Sequence, residues 1–597
     1  FTDILSVESI KDMLNFGQRM AIADFDLDGA LDVLLTVSEN SIRLFRNVRQ
    51  GRFIDWTDRM GIQDLHGNQL VLSGDFNNDG APDLLLFGET PILLFNQKGS
   101  FFDHRNTPAA LSDALSSIVV SDGAVLDFDN DGFTDLVVSG TGGIERSGLW
   151  LIRNLGENRF EDATVLMPQI ASSGILDAGD LDGDGDIDLV WIDSEVRVLR
   201  NDGGNINRWL DVELNAALRG SGKNNFYGVG ATIELNTETH YQSRLVTSPV
   251  THLGLGSYDQ ADVMRVTWPN GVPQNRITPE TSARIVEEQR LKGSCPSLYT
   301  WDGEKYVFVT HLMTRSAIGA LSETGTSAYP DAAADYVKIR SDQLKSRNGK
   351  FTLRVVEELW DAVYMDTAQL LVVDHPESTE ILVNEIYVPP PYPEFELLMA
   401  TTHRLPRSAI DHHGHDILPH LTARDSLYAG DYSQGTYQGN AETHAITLDL
   451  GDLSRTSDIA LYLCGWIMPI EPSSNLALSQ IPDAKVIPPY LEVQDENGVW
   501  QTVIGYTGFP SGEHKTIAID LTGKFLTDDY RVRITTNLEL YWSEAFFTVD
   551  EPADMPQTIT RLTPERADLH YRGYSQEYRV TSNGPFLRDY SVVSTAP

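Results

Sequence analysis

The chain has 597 residues, of which 41% are hydrophobic and 9% aromatic, with 86 acidic against 45 basic side chains and a formal net charge of −41. That length exceeds a single hydrophobic core, and the apolar share is that of a folded rather than a disordered protein. The acidity excludes a duplex nucleic acid or an anionic membrane surface as partner, because no basic stripe is available to displace counterions.

The chain opens at Phe1 rather than Met, as expected of an N-terminus that is processed, trimmed or not included, and no signal-peptide pattern is read in the residues given. Phe1-Thr2-Asp3 is an aromatic-x-Asp step that returns at Phe53-Ile-Asp55, Phe101-Phe-Asp103 and Phe160-Glu-Asp162. The chain is therefore expected to begin in the middle of a repeat.

Four nine-residue segments superimpose: Asp24-Phe-Asp-Leu-Asp28-Gly-Ala-Leu-Asp32, Asp75-Phe-Asn-Asn-Asp79-Gly-Ala-Pro-Asp83, Asp127-Phe-Asp-Asn-Asp131-Gly-Phe-Thr-Asp135 and Asp180-Leu-Asp-Gly-Asp184-Gly-Asp-Ile-Asp188. Their starts lie 51, 52 and 53 residues apart. Each runs into a short apolar strand, and each is followed by a second recurring element at Leu44-Phe-Arg-Asn47, Leu94-Phe-Asn96, Leu151-Ile-Arg-Asn154 and Leu199-Arg-Asn201. Short strands with Gly and Asn turns at this period are the pattern of β-propeller blades. Four repeats are at the lower limit for a closed ring, so either upstream blades or later strands are expected to close it.

The nine-residue segments have the chemistry of calcium loops. Oxygen-bearing side chains at the first, third, fifth and ninth positions, with a carbonyl at the seventh, supply the six or seven hard ligands that Ca²⁺ takes. The expected ligands are Asp24, Asp26, Asp28, Ala30 and Asp32; Asp75, Asn77, Asp79, Ala81 and Asp83; Asp127, Asp129, Asp131, Phe133 and Asp135; and Asp180, Asp182, Asp184, Asp186 and Asp188. No Cys or His lies in any loop, which argues against zinc or copper. An EF-hand would carry a bidentate Glu at position twelve, where this chain has Leu35, Leu86, Val138 and Trp191. About four structural Ca²⁺ are expected, and nothing in the loops offers a nucleophile or an open metal position.

These repeats resemble the FG-GAP/VCBS repeats of integrin-type propellers. The next stretch, with Trp209-Leu-Asp-Val212, Gly228-Val-Gly-Ala231, Gln242-Ser243, His252-Leu-Gly-Leu-Gly256 and Val266-Thr-Trp-Pro-Asn-Gly271 followed by Gln274, resembles the ASPIC/UnbV module. Leu253 stands where that module usually has Phe. In the cartilage acidic protein family and in many bacterial secreted proteins this module follows FG-GAP repeats. Tyr299-Thr-Trp-Asp-Gly303, Val372-Val-Asp-His-Pro376 and Asp520-Leu-Thr-Gly-Lys-Phe525 extend the resemblance toward the C-terminus. It implies an extracytoplasmic protein, whether secreted, surface-bound or periplasmic, and it implies no reaction.

Beyond residue 290 the strand-like runs are Phe351–Val356, Ala368–Val373, Ile459–Leu463, Thr516–Asp520 and Tyr530–Ile534, punctuated by Pro389-Pro-Pro-Tyr-Pro393 and Ile487-Pro-Pro-Tyr490. With Trp466, Trp500 and Trp542 read as an edge, these suggest β-sandwich domains in which the tryptophans are core more readily than a sugar platform. The expected architecture is all-β: a propeller segment over 1–203, an ASPIC/UnbV β-domain over 204–290, a β-rich domain over 291–470 and a sandwich-like domain over 471–597.

Asp411-His412-His413-Gly-His415-Asp416, with His403 and His420 nearby, is either a polar turn bearing surface histidines or a transition-metal site. Cys295 and Cys464 either join in a disulfide or stay apart. No nucleophile elbow, phosphate loop or dinucleotide fingerprint occurs, which favours a non-enzyme while leaving the enzyme class open. The first functional reading is a secreted or cell-surface calcium-binding interaction or adhesion protein with a protein or glycan partner. A structural subunit contacting sister copies is the second, and an extracellular enzyme or glycan-binding protein with its site in the C-terminal half is the third. No run of about 18 apolar residues is present, so no membrane span is expected.

Overall fold

In a computed structural model, residues 19–595 are described except for 37–40, 49–51, 66–69, 89, 104–106, 117, 143–145, 171, 220–223, 239, 292–294, 313–333, 359–362, 389–393, 471, 482–484, 553–555 and 583. Phe1-Thr2-Asp3 and Pro389–Pro393 lie outside the described residues. The chain divides into two compact units, one of residues 1–217 and 223–289, the other of 218–222 and 290–595.

Unit 1 begins with antiparallel sheets in which successive strands pair in chain order. Blade one runs Arg19–Ala23, Asp32–Thr36, Ile42–Asn47 and Phe53–Asp55, and blade two runs Leu70–Gly74, Asp83–Phe87, Ile92–Asn96 and Phe102–Asp103. Blade three runs Ile118–Leu126, Asp135–Gly142, Arg146–Asn154 and Phe160–Asp162, and blade four has three strands, Ile175–Gly179, Asp188–Ile192 and Val196–Leu199. The first strand of each blade packs against the first strand of the next.

Burial of the second strand tells which blades have neighbours on both faces. In blade two, Asp83–Phe87 is buried at every residue, as is Asp135–Gly140 in blade three, so these strands read as near-continuous apolar runs. In blade one, Asp32–Thr36 alternates buried with half-buried, as a strand covered on one face does. Blade four leaves Val196 and Val198 exposed on its last strand. Three apolar cores lie between the blades: Leu34 with Leu84 and Leu86, Leu85 and Phe87 with Leu136 and Val138, and Val137 with Leu189 and Trp191. Among the described residues no comparable packing joins the first strands of blades one and four.

The module that follows has two sheets. Arg208–Asn215 pairs antiparallel with Val250–Gly256 and parallel with Ala283–Glu288; Thr232–Thr237 lies between His240–Leu245 and Val263–Thr267, and Pro273–Ile277 adds the edge. Leu210, Ile233, Leu235, Leu253, Val266 and Trp268 fill the space between them. The Trp and Gln of the motif meet here: Trp268 Nε1 donates to Gln274 Oε1 at 3.3 Å, and Gln274 Nε2 reaches the Glu287 carboxylate and the Glu288 carbonyl.

Unit 2 is centred on a β-sandwich. One sheet runs Ser408–Asp411, Asn440–Asp449, Arg531–Leu538, Tyr490–Gln494 and Trp500–Ile504; the other places Ile459–Ile467 between Lys515–Asp520 and Leu540–Val549. Hydrogen-bonded ladders therefore join residues on both sides of position 470, where the sequence suggested a domain boundary. Trp466 and Trp542 are buried, and Trp500 lies under the Arg533 guanidinium, so this trio offers no open stacking platform. No disulfide joins Cys295 to Cys464.

Candidate metal centres

The four Asp-rich loops share one hydrogen-bond scheme. The first Asp accepts the Gly N–H at the sixth position: Gly29 to Asp24 at 2.7 Å, Gly80 to Asp75 at 2.9 Å, Gly132 to Asp127 at 2.8 Å and Gly185 to Asp180 at 3.1 Å. The fifth Asp accepts the N–H of the seventh residue, which is Ala30, Ala81, Phe133 or Asp186. The ninth Asp uses one oxygen for the N–H of the second residue, Phe25, Phe76, Phe128 or Leu181. Such a tight fold needs left-handed backbone at two places, and Leu27, Asn78, Asn130 and Gly183 adopt it at the fourth position, with the loop glycines at the sixth.

The other oxygen of each ninth Asp explains the second recurring element. Asp32, Asp83, Asp135 and Asp188 accept the backbone N–H of Asn47, Asn96, Asn154 and Asn201 at 2.7–2.8 Å. The Asn side chains then reach the preceding blade: Asn96 Nδ2 donates to the Phe25 carbonyl at 2.9 Å, Asn154 to Phe76 at 2.8 Å and Asn201 to Phe128 at 2.6 Å. Each loop is thereby tied to its own third strand, and the first three are tied also to the next blade. The sequence showed these asparagines recurring but not their function, since the partner carbonyl lies more than 70 residues away.

These bonds leave carboxylates crowded. Ligand atoms of Asp24, Asp26 and Asp32 lie within 4.8 Å of one another, as do those of Asp127, Asp129 and Asp135, and of Asp180, Asp182 and Asp184. The second loop has Asn77 at its third position, where its amide donates to Asp79 at 3.1 Å. Asp26 Oδ1 and Asp129 Oδ1 are buried with no hydrogen-bond partner. Burial, reinforced by the neighbouring carboxylates, pushes Asp32 up to about 7, Asp83 to about 8 and Asp127 to about 7, and raises Asp135 well above the ordinary range. Arginines offset part of this charge. Arg46 contacts Asp26 and Asp28, Arg153 contacts Asp129 and Asp131, and Arg200 lies 3.3 Å from Asp182. The corresponding position of the second repeat is Phe95, so loop two lacks this arginine. Unpartnered buried oxygens among oxygen-only donors fit a hard divalent cation such as Ca²⁺.

The loops are also a floor. A β-carbon built at Gly254 would sit 2.3 Å from Asp127 Oδ2; one at Gly185 would meet the Trp209 ring, and one at Gly132 would meet His240. Asn130 Oδ1 lies 2.5 Å from His252 Nε2, whose Nδ1 is 2.8 Å from Asp211, and Arg244 donates to the Gly132 carbonyl at 3.3 Å. The module of residues 208–288 is thus seated on the loops through the residues that its motif singled out, among them Trp209, His252 and Gly254.

In unit 2 the histidine run forms a turn after strand Ser408–Asp411. Asp411 accepts the N–H of both His413 and His415 at 2.8 Å, and Gly414 is left-handed at φ +85. Ligand atoms of His412, His413 and Glu442 lie within 4.8 Å of one another, as do those of Asp411, His415 and Asp431. His420 lies in the short helical turn Leu418–Leu421, and His403 pairs with Glu380 at 2.8 Å. Neither belongs to these two groups.

Residues 24–86 and 127–191, which contain all four loops, match the FG-GAP-like repeat family. Cartilage acidic protein 1 of Xenopus tropicalis is 26% identical over 288 residues, 43% of this chain and 42% of the relative. The protein of the same name from Mus musculus is 26% identical over 315 residues, 48% of this chain and 46% of the relative. The matches span less than half the length of these relatives. A crystal structure of BBS1N in complex with ARL6DN is 10% identical, covering 47% of this chain and 72% of its own, with a TM-score of 0.22 that carries no argument. Among the described residues no helix is long and apolar enough to cross a membrane.

Proposed function

We propose that this FG-GAP repeat protein, similar to cartilage acidic protein 1 over slightly less than half of its length, is an extracytoplasmic interaction protein whose propeller segment is braced by calcium. The observation that carries this reading is the double use of the four loops. They bury carboxylates that crowd one another, and they form the surface on which the module of residues 208–288 sits. Ca²⁺ in the loops would supply the positive charge that their carboxylates lack. The first, fifth and ninth Asp hold the backbone turn, the Asn residues tie blade to blade, and His252, Trp209 and Arg244 fasten the module above.

Calcium loops of extracellular modules bind with dissociation constants of about 10⁻⁴–10⁻³ M, and loops of that affinity are filled only where free calcium is abundant. That supports a location outside the cytoplasm, with a protein or glycan at the cell surface, or a sister copy, as partner. Trp209 lies against Gly185, so its emission reports the fourth loop. Titrating the metal-stripped chain with Ca²⁺ is expected to shift tryptophan emission and to retain about four ions by elemental analysis. Unchanged emission with no retained calcium would overturn the reading. Fractionation of the producing cells addresses location, and recovery confined to the cytosol would contradict that part.

A further inference from the structure

We propose that His412, His413 and Glu442 form a second kind of metal centre, in unit 2, which takes a divalent transition ion, Zn²⁺ foremost, and not calcium. Two imidazoles and one carboxylate are a borderline-soft donor set that suits Zn²⁺, Ni²⁺ or Cu²⁺, whereas Ca²⁺ takes six to eight oxygens. His412 Nε2 lies 3.6 Å from Glu442 Oε1, close to the edge of about 3.4 Å in a tetrahedron with bonds of about 2.1 Å. The His412 and His413 ring centroids are 3.9 Å apart, so both imidazoles stand beside the same carboxylate.

The backbone that carries them is fixed. Asp411, buried at the end of its strand, receives the His413 and His415 N–H groups, its own N–H donates to the His415 carbonyl at 3.1 Å, and the Gly414 N–H returns to the Asp411 carbonyl at 3.1 Å. Glu442 stands on the neighbouring strand Asn440–Asp449, and its Oε1 accepts the Ser433 N–H at 2.7 Å. Closure on an ion therefore requires rotation of exposed side chains and no change of fold. The adjacent group of Asp411, His415 and Asp431 is a weaker candidate, because both Asp411 oxygens are already used, one for the turn and one for His415 Nδ1 at 3.1 Å. Three protein ligands leave the fourth position of a tetrahedral ion to water.

The test uses the full chain, stripped of metal and then saturated with Ca²⁺ so that the Asp loops are filled. Calorimetric titration with Zn²⁺ is expected to show one further ion per chain, and Co²⁺ is expected to give the visible absorption of a tetrahedral site. The double variant His412→Ala/His413→Ala and the single variant Glu442→Gln should each weaken Zn²⁺ at least tenfold and remove the Co²⁺ band. His420→Ala should change neither. Glu442→Gln keeps the turn intact, so a loss in that variant speaks for ligation and not for misfolding. No Zn²⁺ uptake above saturating Ca²⁺, or uptake in the double variant equal to that of the unmodified chain, would overturn the proposal.

Discussion

The two units bury acidic side chains by opposite means. Unit 2 gives several of its buried glutamates cationic partners from its own chain, whereas Glu513 keeps one buried oxygen without a hydrogen-bond partner and is raised by burial to about 8. Glu539, fully buried, takes a bidentate Arg219 at 2.7 and 3.1 Å and accepts further bonds from Tyr541, Gln434 and the Gly439 N–H. Glu544 pairs with Arg424 at 2.8 Å, Glu492 with Arg533 at 2.8 and 2.9 Å, and Glu358 and Glu577 gather around Arg588, Arg572 and Arg290. Unit 1 instead packs carboxylates against carboxylates in repeated loops, with one arginine over each of the first, third and fourth loops and none over the second. A charge buried with its partner is satisfied within the fold; a cluster of like charges waits for a cation from solution. Two stability regimes in one chain follow from that difference.

The largest expected effect breaks the unit 2 arrangement. Arg219→Ala leaves Glu539 buried without its cation and should cost unit 2 about 3–5 kcal/mol in denaturant unfolding, equally with and without calcium. Asn154→Ala removes the tie from blade three to blade two, two donor bonds and the Gly156 N–H acceptor, and should cost unit 1 about 2 kcal/mol in either condition. Asp129→Asn copies the native Asn77 of loop two and sharpens the comparison by its sign. With calcium present it should weaken binding about tenfold, or about 1.4 kcal/mol, while in the metal-free chain it should raise stability by removing one like charge.

Acidity gives the most diagnostic effect, because its sign depends on calcium. Asp32, Asp83 and Asp127 are raised in the ion-free fold to about 7, 8 and 7 from the ordinary value of 3.8. The folded state then binds more protons than the unfolded one across that window, so metal-free unit 1 should lose stability as pH rises from about 4 to 8. With calcium bound the sign reverses, because protonation then removes ligands. Melting of stripped and loaded protein at pH 5 and pH 8 checks both halves of this expectation.

Much of unit 1 was legible because its chemistry is local. An Asp loop is nine residues long, and its periodic recurrence shows the blades before any contact is known. The arginines at 46, 153 and 200 and the asparagines at 47, 96, 154 and 201 were visible as a repeated pair of letters, yet their roles depend on the neighbouring loop and blade. Seating of the second module on the loops was not legible, since Gly254 and Asp127 are joined only by the fold. Unit 2 was legible as strands alone. Its ladders cross position 470, and its charge pairs, such as Arg533 with Glu492 and Arg219 with Glu539, are separated by 41 and 320 residues without any repeat to mark them.

Hydrogen exchange of the full chain, read by mass spectrometry with calcium and after its removal, tests the central claim most directly when ions are counted on the same sample. The account predicts that amides of blades one to four and of residues 208–288 lose protection when about four Ca²⁺ leave, while the sandwich of unit 2 keeps its protection. Equal protection of unit 1 in both states, with no calcium found in the loaded sample, would show that the Asp loops are turns held by their own hydrogen bonds and would contradict the account.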